Sequence, residues 1–507
     1  MPRLALSLFC SLLTTLCSGE ESWNQFRGAG GNAYAGQSFA PTKPSDANTA
    51  WKKTIPPGLS APVLSDGLLV LTAIDTHRFY TIAIDAKTGH ERWRVAAPEV
   101  TFEKHHQAGS PAASTPLIEK QSIFVYFGSF GLLCYDHEGK EQWRMPIETP
   151  KSLYGTSVSP IAYHDQVILV LDDENTLHDS KLSRSRIIAI NKKSGKLSWE
   201  TGRPFNRSGW STPTIWQHAQ GDEIVVLGNG RVTGYEASTG AEKWYATGFS
   251  RETIAQPIVG QGMVYAAAAM LGGVADDQPD TEPFWTAMMH FDTNKDGQLG
   301  QNEITEHFTF PFRPELPPGH PGFGRPLPGD PKKRKARQLE MFRYIDKNKD
   351  GRWTREEFIA RLNFDRGKPV LMAIQPGGHG DVSNSHVAWR LHKGLPEVPS
   401  PIFHKGLIYL VRNGGFLTAV DAQSGSVIYK ERLGASGPYS ASPVIANDHL
   451  YVLSERGTIT VIPCGKTFTR THQFDLRERC WVTPAFDKQT LYLRSEKHLW
   501  AFRDSNR

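Results

Sequence analysis

Two acidic stretches of twelve residues place oxygen atoms at the spacing that a calcium-binding loop requires. They run from Asp292 to Glu303 and from Asp346 to Glu357. Calcium takes about six to eight oxygen ligands, which an EF-hand loop supplies from positions 1, 3, 5, 7 and 12. Those positions are Asp292, Asn294, Asp296, the carbonyl of Gln298 and Glu303 in the first stretch, and Asp346, Asn348, Asp350, the carbonyl of Arg352 and Glu357 in the second.

Glycine stands where each loop must turn. Position 6 requires a positive φ, which only glycine adopts without steric cost, and Gly297 and Gly351 stand there. Asp, Asn and Gly also dominate ordinary turns, but two complete matches favour two calcium sites. The first is the weaker prediction, because Gly300 at position 9 has no side chain to hold a water.

Helices should flank both loops and bury apolar residues spaced three and four apart. Before loop one this stripe is Phe284, Ala287, Met288 and Phe291, and Ile304 and Phe308 continue it afterwards; around loop two it is Met341, Phe342, Ile345, Phe358 and Leu362. Leu299 and Trp353 occupy the position at which paired EF-hands join through a short β-bridge. The bulk of Trp353 is unusual there.

The surrounding sequence repeats a strand, turn and strand pattern that ends in tryptophan. Its form is apolar, Asp, a Thr-Gly turn and Trp, and it recurs with its last residue at Trp93, Trp143, Trp199, Trp244 and Tyr429. The first four are about 50 residues apart, which is typical of propeller blades. The glycine supplies a tight hairpin, and we expect the tryptophan to pack over the next blade.

Eight elements that end in proline mark the blade starts. They are Ser60-Ala61-Pro62, Ser114-Thr115-Pro116, Ser159-Pro160, Ser211-Thr212-Pro213, Gln256-Pro257, Ser400-Pro401, Ser442-Pro443 and Thr483-Pro484. The pattern predicts an all-β fold, an eight-bladed propeller with a small α-helical insertion. The last repeat lacks a fourth strand, and Asn48 to Lys52 resembles it, so we expect the two chain ends to close the ring.

The calcium loops interrupt blade five. Its first two strands lie before them and its last two after them, so we predict a propeller over residues 23–270 and 367–507 and an EF-hand pair over residues 271–366. Residues 1–19 precede these units: Arg3, an apolar run and Ser18-Gly19 predict a secretory signal peptide. The protein is therefore expected to be exported, to the periplasm or the extracellular space.

Charge and hydropathy exclude two classes of function. The net charge of +5 is too small for a nucleic-acid-binding surface, and the basic run Lys332 to Arg337 is interpreted as a solvated helix start. No other segment has the length of a membrane span. Three cysteines remain after cleavage, Cys134, Cys464 and Cys480, too few and too sparse for a disulfide framework. A single disulfide between Cys464 and Cys480 stays open.

The repeats resemble those of the pyrroloquinoline-quinone-like (PQQ-like) propellers, and the whole chain is similar to bacterial exported proteins related to the assembly factor BamB. The resemblance covers residues 23 to 503. Its most specific motifs are Trp23 to Gly28, Val125 to Gly128, Trp210 to Pro213, Pro376 to Val382 and Leu491 to Arg494. It implies an eight-bladed propeller, in which EF-hand insertions are familiar, and no single activity.

Two functions of the scaffold stay open. In the first, the propeller is a non-catalytic platform that binds an envelope or extracellular protein or a polysaccharide. In the second, it is a quinone-dependent (PQQ) alcohol dehydrogenase. Enzymes of that class carry adjacent cysteines over the quinone, and this chain has none. Their Asp/Glu/Asn calcium site is also unmatched, so we favour the platform and expect no PQQ.

Some polar residues in loops are candidates for a site on one face of the ring. His105 and His106 precede blade two, Asp172 and Asp173 end a strand, and Arg203 and Trp210 flank another loop. A pair of histidines in a loop is more often exposed to solvent than part of a site. For Arg203 the alternative to a role in a site is structural: it would join neighbouring blades through charge-assisted hydrogen bonds. No Ser/His/Asp set stands out, so we predict no catalytic residue.

Overall fold

In the computed structural model the strands form eight antiparallel sheets, the blades, which follow one another in chain order. The structure describes residues 23–36, 38–152, 154–173, 184–204, 206, 209–250, 252–269, 282–311, 317–320, 323–362 and 368–504. The predicted signal peptide lies outside these residues. Each blade is apolar on both faces, with most inner strand positions buried against the neighbouring blades. This is the eight-bladed propeller that the repeats predict.

The first four blades each use four consecutive strands. Blade one has Val63–Ser65, Leu68–Ile74, Phe79–Asp85 and Glu91–Ala96; blade two has Leu117–Ile118, Ile123–Phe127, Gly131–Tyr135 and Glu141–Pro146; blade three has Ile161–Tyr163, Gln166–Leu171, Arg186–Asn191 and Leu197–Gly202; blade four has Thr214–His218, Gly221–Gly228, Arg231–Glu236 and Glu242–Thr247.

The remaining blades include the interrupted one and the closing one. Blade five has Ile258–Gly260, Met263–Ala268, Val370–Ile374 and Val387–Leu391; blade six has Ile402–His404, Leu407–Arg412, Phe416–Asp421 and Val427–Arg432; blade seven has Val444–Ala446, His449–Leu453, Thr458–Pro463 and His472–Asp475; blade eight has Ala485–Phe486, Thr490–Arg494, His498–Arg503 and Thr49–Thr54.

The two chain ends close the ring in blade eight, as predicted. Strand Thr49–Thr54 pairs antiparallel with His498–Arg503, with Lys52 opposite Trp500. Because the outer strand of the last blade comes from the N-terminal end of the chain, blades one and eight cannot separate without breaking this ladder.

Tryptophans at the end of the outer strands join successive blades. The indole Nε1 of Trp93 donates to the carbonyl of His137 in blade two at 2.7 Å, and Trp143 donates to Lys192 in blade three at 2.9 Å. The turn glycine of the next blade lies against each ring: a Cβ on Gly139 would stand 2.7 Å from Trp93. The predicted packing of tryptophan over the next blade is therefore confirmed.

Blade four departs from this pattern. The Trp244 indole is buried and donates to Glu223 of its own blade at 2.6 Å. The loop between the last two strands of blade five folds back, and its short strand Gly380–Asp381 pairs in parallel with Trp244 and Tyr245. This fifth strand pairs with part of the outer edge of blade four.

The residues that precede the blade-start prolines form a hydrogen-bonded ring around the axis. In six steps the main-chain N–H of one blade donates to the side-chain hydroxyl of the next, at 2.9–3.1 Å. The donor and acceptor pairs are Ala61 to Thr115, Thr115 to Ser159, Ser159 to Thr212, Gln256 to Ser400, Ser400 to Ser442 and Ser442 to Thr483.

The N-terminal segment crosses the ring below these hydroxyls. The carbonyl of Trp23 accepts from Leu64 of blade one, the carbonyl of Asn24 from Ile118 of blade two, and the carbonyl of Ala33 from Ile445 of blade seven, each at 2.8 Å. Arg27 between them is completely buried, and its guanidinium donates to the carbonyl of Pro401 in blade six. The segment therefore bonds to blades on both sides of the axis.

The described part of the insert has three α-helices: α1 (Glu282–Met288), α2 (Pro331–Ile345) and α3 (Arg355–Leu362). Helix α2 begins after Asp330, whose carboxylate accepts from Lys333 N at 2.8 Å. The helix expected after loop one is absent: residues 301–307 form turns, which lead into a hairpin of Thr309–Pro311 and Gly324–Pro326. Gly300 offers no capping side chain there, and Pro311 ends the segment. No described helix is long and apolar enough to cross a membrane.

Glu478 links the three parts of the chain that meet at the closure. It follows blade seven, and its carboxylate lies 3.0 Å from Lys52 Nζ of the closing strand and 2.6 Å from His498 Nδ1 of blade eight. Ser495 donates to it at 2.6 Å. Burial alone would raise the pKa of Glu478, but donation from Ser495, His498 and Lys52 outweighs it and lowers the pKa to about 2.

We predict that Glu478→Gln lowers the free energy of unfolding by about 1 kcal/mol at neutral pH, because it removes these charge-assisted bonds. The pKa is depressed in the folded state, so the stabilisation exists above the unfolded value of about 4.3 and disappears as the pH falls towards about 2. Urea unfolding at several pH values measures this, and hydrogen exchange should be faster in Thr49–Thr54. The control Glu141→Gln, which breaks an exposed pair with Arg144, should have little effect; a pH-independent difference for Glu478→Gln would contradict the prediction.

Candidate functional site

The insert has an apolar core of its own. Trp353 is fully buried at its centre and stacks on Phe342 of α2, with ring centroids 4.7 Å apart. Trp285 and Met288 of α1, Phe308, and Phe358 of α3 belong to the same cluster, which is separate from the clusters between blades. Trp353, which is bulky for a residue in a β-bridge, therefore fills the space between the helices.

Loop one (Asp292–Glu303) is folded around its own carboxylates. Gly297 N donates to Asp292 Oδ2 at 2.9 Å, and Gln298 N donates to Asp296 Oδ1 at 2.9 Å. Glu303 at the end of the loop accepts from Thr293 N and Gly300 N, both at 2.8 Å. Gly297 has a φ of 79°, so the turn uses the conformation for which glycine is suited.

Loop two (Asp346–Glu357) repeats this arrangement. Gly351 N donates to Asp346 Oδ2 at 2.9 Å, and Glu357 accepts from Lys347 N at 3.0 Å. Gly351 has a φ of 83°. Thr354 adds a capping box to α3, because its hydroxyl accepts from Glu357 N while its own N–H donates to the Glu357 carboxylate, both at 3.2 Å. Gly300 cannot make the first of these bonds in loop one.

Two carboxylates of the two loops, and one oxygen of a third, are shielded from water. Glu303 is 5% exposed and Asp346 is 8% exposed. Burial would raise the pKa of Glu303, but the N–H groups of Gly300, Asn294 and Thr293 outweigh it and hold the pKa below its usual value. Asp292 Oδ1 is buried with no hydrogen-bond partner. An unpaired, buried carboxylate oxygen is costly unless a cation or donor satisfies it.

The two loops touch through main chain and side chain. Leu299 pairs with Trp353 and Gly300 with Arg352 in a short antiparallel bridge, at the position predicted for it. The Arg352 guanidinium also reaches across the bridge, with Nη1 3.1 Å from Asp296 Oδ2. A positive charge of loop two therefore neutralises a carboxylate of loop one.

The donor set of each loop is oxygen-rich and mixed in character. Carboxylate, amide and main-chain carbonyl oxygens suit a hard cation such as Ca²⁺ or Mg²⁺. Clusters of three or more His, Cys, Asp or Glu side chains that converge on one point do not occur in the described part of the chain. Any ion in these loops would thus depend on the amide and carbonyl oxygens as well as on the acids.

The polar loop residues proposed for a site on one face of the ring lie in different environments. His105 and His106 are exposed; His105 contacts the carbonyl of Glu103, and the His106 ring meets Tyr154 edge-on at 5.2 Å. Trp210 is nearly buried and donates to the carbonyl of Gly155 at 3.0 Å. His106, Tyr154 and Trp210 border the mouth of the central channel.

Arg203 and Asp172 form a buried pair at one end of blade three. Arg203 Nε and Nη2 donate to the two oxygens of Asp172 at 2.8 and 3.1 Å, and Nη1 donates to the Tyr235 hydroxyl of blade four at 2.8 Å. This confirms the interpretation that Arg203 ties neighbouring blades together. Asp173 lies beside this pair, with its N–H donating to Ser185 Oγ at 2.9 Å.

The cysteines remain apart as free thiols. Cys464 and Cys480 do not form the disulfide that the sequence allowed, and Cys134 is buried in blade two. Cys480 is buried after blade seven, whereas Cys464 follows the third strand of that blade and faces Tyr409 of blade six, so each thiol packs in its own environment. Burial raises the pKa of all three thiols, that of Cys134 and Cys464 to about 12.

Sequence reasoning missed the hydroxyls of the axial ring. It identified the elements that end in proline as blade starts but assigned no role to the residue before the proline. That residue is Ser or Thr in six of the eight elements, which was the available signal. Their common function as acceptors becomes visible only when all blades are placed around one axis.

A family model supports the propeller and leaves the loops out. The model described as outer membrane protein assembly factor BamB matches residues 42–212, 183–292 and 373–506, which is more than half of the chain. The matched ranges omit residues 293–372, where nearly all of loop one and the whole of loop two lie.

Individual relatives are more distant. The outer membrane protein assembly factor BamB of Burkholderia pseudomallei (strain K96243) is 26% identical over 204 residues, which are 39% of this chain and 48% of that protein. The chain thus spans about half the length of the curated relative it matches.

Solved structures share the fold at low identity. BamB from Moraxella catarrhalis is 11% identical with a TM-score of 0.52 over 90% of this chain and 98% of its own. The quinohemoprotein alcohol dehydrogenase from Comamonas testosteroni is 12% identical with a TM-score of 0.52 over 95% of this chain and 80% of its own. Such low identities establish the fold alone.

Proposed function

The chain belongs to the outer membrane protein assembly factor BamB family, and from this premise we propose that it is an exported, calcium-binding propeller that serves as a non-catalytic platform at the cell envelope. The blades supply the binding surfaces of the platform, and the insert in blade five supplies two EF-hand sites. Calcium and the platform are separate parts of the proposal, because the insert has its own core.

The calcium part rests on one observation above all: the buried, unpartnered Oδ1 of Asp292 in a loop whose remaining acids are held by main-chain N–H groups. A divalent cation would satisfy that oxygen. Loop one would hold it through Asp292, Asn294, Asp296, the Gln298 carbonyl and Glu303, and loop two through Asp346, Asn348, Asp350, the Arg352 carbonyl and Glu357.

Calcium has a structural role in this proposal. Each ion would hold the start and end of its loop together, and the Leu299 to Trp353 bridge would couple the two loops. An ion that binds the folded insert alone stabilises it by RT ln(1 + [L]/Kd). The propeller core contributes nothing to this term, so calcium should stabilise the insert selectively.

The platform part comes from the family. The Burkholderia relative is named as an assembly factor of outer membrane proteins, and the run from Arg3 to Gly19 is typical of an export signal. We infer a partner from the envelope or the extracellular space, either a protein or a polysaccharide.

The alternative of a quinone-dependent alcohol dehydrogenase is supported by the shared fold alone. This chain has no adjacent cysteines. An absorbance spectrum of the purified protein before and after adding PQQ, followed by an alcohol-dependent dye reduction assay, distinguishes the two functions: alcohol oxidation would overturn the non-catalytic platform.

We predict that Glu303→Gln and Glu357→Gln each remove one calcium site and that the double variant takes up almost no calcium, because the bidentate ligand of each loop is lost. Isothermal titration calorimetry measures the stoichiometry, and thermal unfolding should show an intact propeller. The matched control is Glu306→Gln, an exposed acid beside loop one, which should bind as the wild type does. Unchanged stoichiometry in the double variant would refute the site assignment.

We predict that Arg352→Gln tightens calcium binding to loop one by about threefold, because it removes a positive charge 3.1 Å from the Asp296 carboxylate. The carbonyl of residue 352 remains available to loop two. Calorimetry on the Glu357→Gln background isolates loop one. Arg337→Gln, which removes an equal charge from an exposed pair on α2, is the control; an equal gain in both variants would show that only the net charge matters.

A further inference from the structure

A cavity of about 450 Å³ lies where the starts of the blades meet, next to the N-terminal segment. Phe26 of that segment forms its floor, and the other lining residues come from all eight blades or the loops between them. It opens outward into a second depression of about 670 Å³, bordered by the charged residues Glu455, Arg479 and Glu496. The volume is within the range of about 300–1,000 Å³ that is usual for small-molecule sites.

Six of the hydroxyl groups that border this cavity belong to the axial ring, and each has a hydrogen without an acceptor among the described residues. They belong to Thr115, Ser159, Thr212, Ser400, Ser442 and Thr483. Each oxygen accepts the N–H of the preceding blade, as in the axial ring. All six residues are at least 95% buried. A hydroxyl is both donor and acceptor, and buried donors are normally satisfied, so this ring calls for oxygen atoms inside the cavity.

Aromatic rings form the wall above the hydroxyls. Trp210 and Tyr154 meet edge to face with centroids 5.3 Å apart, and Trp481 lies on another side. The polar edges of both indoles are already used: Trp210 Nε1 donates to the carbonyl of Gly155 at 3.0 Å, and Trp481 Nε1 donates to Glu455 Oε2 at 3.2 Å. These rings therefore offer their apolar faces to a ligand.

The charges at the cavity disfavour an ionic ligand. Among the described residues that border it there is no lysine or arginine, so an anion would find no permanent positive charge there. Its one carboxylate, Glu455, is held by Ser440 and Trp481 and lies 3.9 Å from Arg479 of the outer depression. A neutral molecule with many oxygens and one apolar face fits this environment without an unpaired charge.

We propose that the channel mouth binds a neutral sugar ring. Its hydroxyl and ring oxygens accept from the six Ser and Thr hydroxyls, and its C–H face packs on Trp210, Tyr154 and Trp481. The same chemistry occurs in a free sugar and at the end of a glycan chain. The inference gives a ligand class to the platform of the proposed function and is independent of the calcium loops.

The test is isothermal titration calorimetry, together with saturation-transfer NMR, of the full mature protein with glucose, N-acetylglucosamine and cellohexaose. We expect at least one probe to bind with a Kd below about 1 mM. Equal affinity for a monosaccharide and cellohexaose identifies a free sugar as the ligand, and binding of cellohexaose alone identifies the end of a glycan. Absence of binding to every probe at about 10 mM, with only water in the cavity, would overturn the proposal.

Variants locate the bound sugar. Thr483→Val removes one donor and Trp481→Ala removes one aromatic face, and each should weaken binding by about tenfold. Thr483→Ser keeps the hydroxyl and should bind as the wild type does, which separates loss of the donor from loss of folding. Thr460→Val alters a buried threonine of blade seven outside the cavity and is the matched control. Equal affinity in all four variants would overturn the site.

The same titrations on the Glu303→Gln/Glu357→Gln double variant separate the two proposals. We expect sugar binding without calcium uptake. If sugar binds to neither protein while the wild type takes up calcium, the channel site fails and the calcium proposal stands.

Discussion

The ring of main-chain N–H to hydroxyl bonds at the axis is the constraint on which the propeller depends. Each bond joins two residues of adjacent blades that lie about 40 to 140 positions apart in the chain, from Ala61 to Thr483. The donors are main-chain groups at the start of the first strand, so the bonds set the radius at which every blade begins. The same hydroxyls then define the chemistry of the cavity that they enclose.

The two ends of the chain also join the first and last blades. The closing strand Thr49–Thr54 and the segment from Trp23 to Phe39 both precede blade one in sequence, yet they pair with or cross the last blades. The carboxylate of Glu478 contacts both Lys52 of the closing strand and His498 of blade eight. Arg27 is buried and forms no ion pair with a described carboxylate, and burial lowers its pKa to about 9. The floor of the cavity is thus built from the N-terminal segment and not from a blade.

The insert, unlike the propeller, is held together by contacts between residues close in sequence. Its core is local, centred on Trp353, and its two loops form their carboxylate contacts within twelve residues each. A unit of this kind interrupts a blade at little cost when the strands on either side of it still pair, as Met263–Ala268 and Val370–Ile374 of blade five do. The metal sites proposed for the insert and the ligand site proposed for the channel therefore share no part of the core.

Local patterns predicted the elements whose partners are near in sequence or repeat regularly: the loop acids with Gly297 and Gly351, the eight blade starts, and tryptophans such as Trp93 over the next blade. The helix predicted after loop one does not form. The prediction followed the apolar spacing of Ile304 and Phe308 and took no account of the missing cap at Gly300. Trp244 was expected to resemble Trp93, but its indole donates to Glu223 of its own blade, and a strand more than 130 residues away pairs with its main chain.

The sequence by itself determined which oxygens each acidic loop presents, since their order within twelve residues is local and needs no other part of the chain. It also determined the number of blades through the period of its repeats. Only the tertiary structure decided that six scattered Ser and Thr hydroxyls share one cavity with Trp210 and Trp481. Their neighbours are fixed by ring closure, a constraint between distant segments that no local pattern encodes.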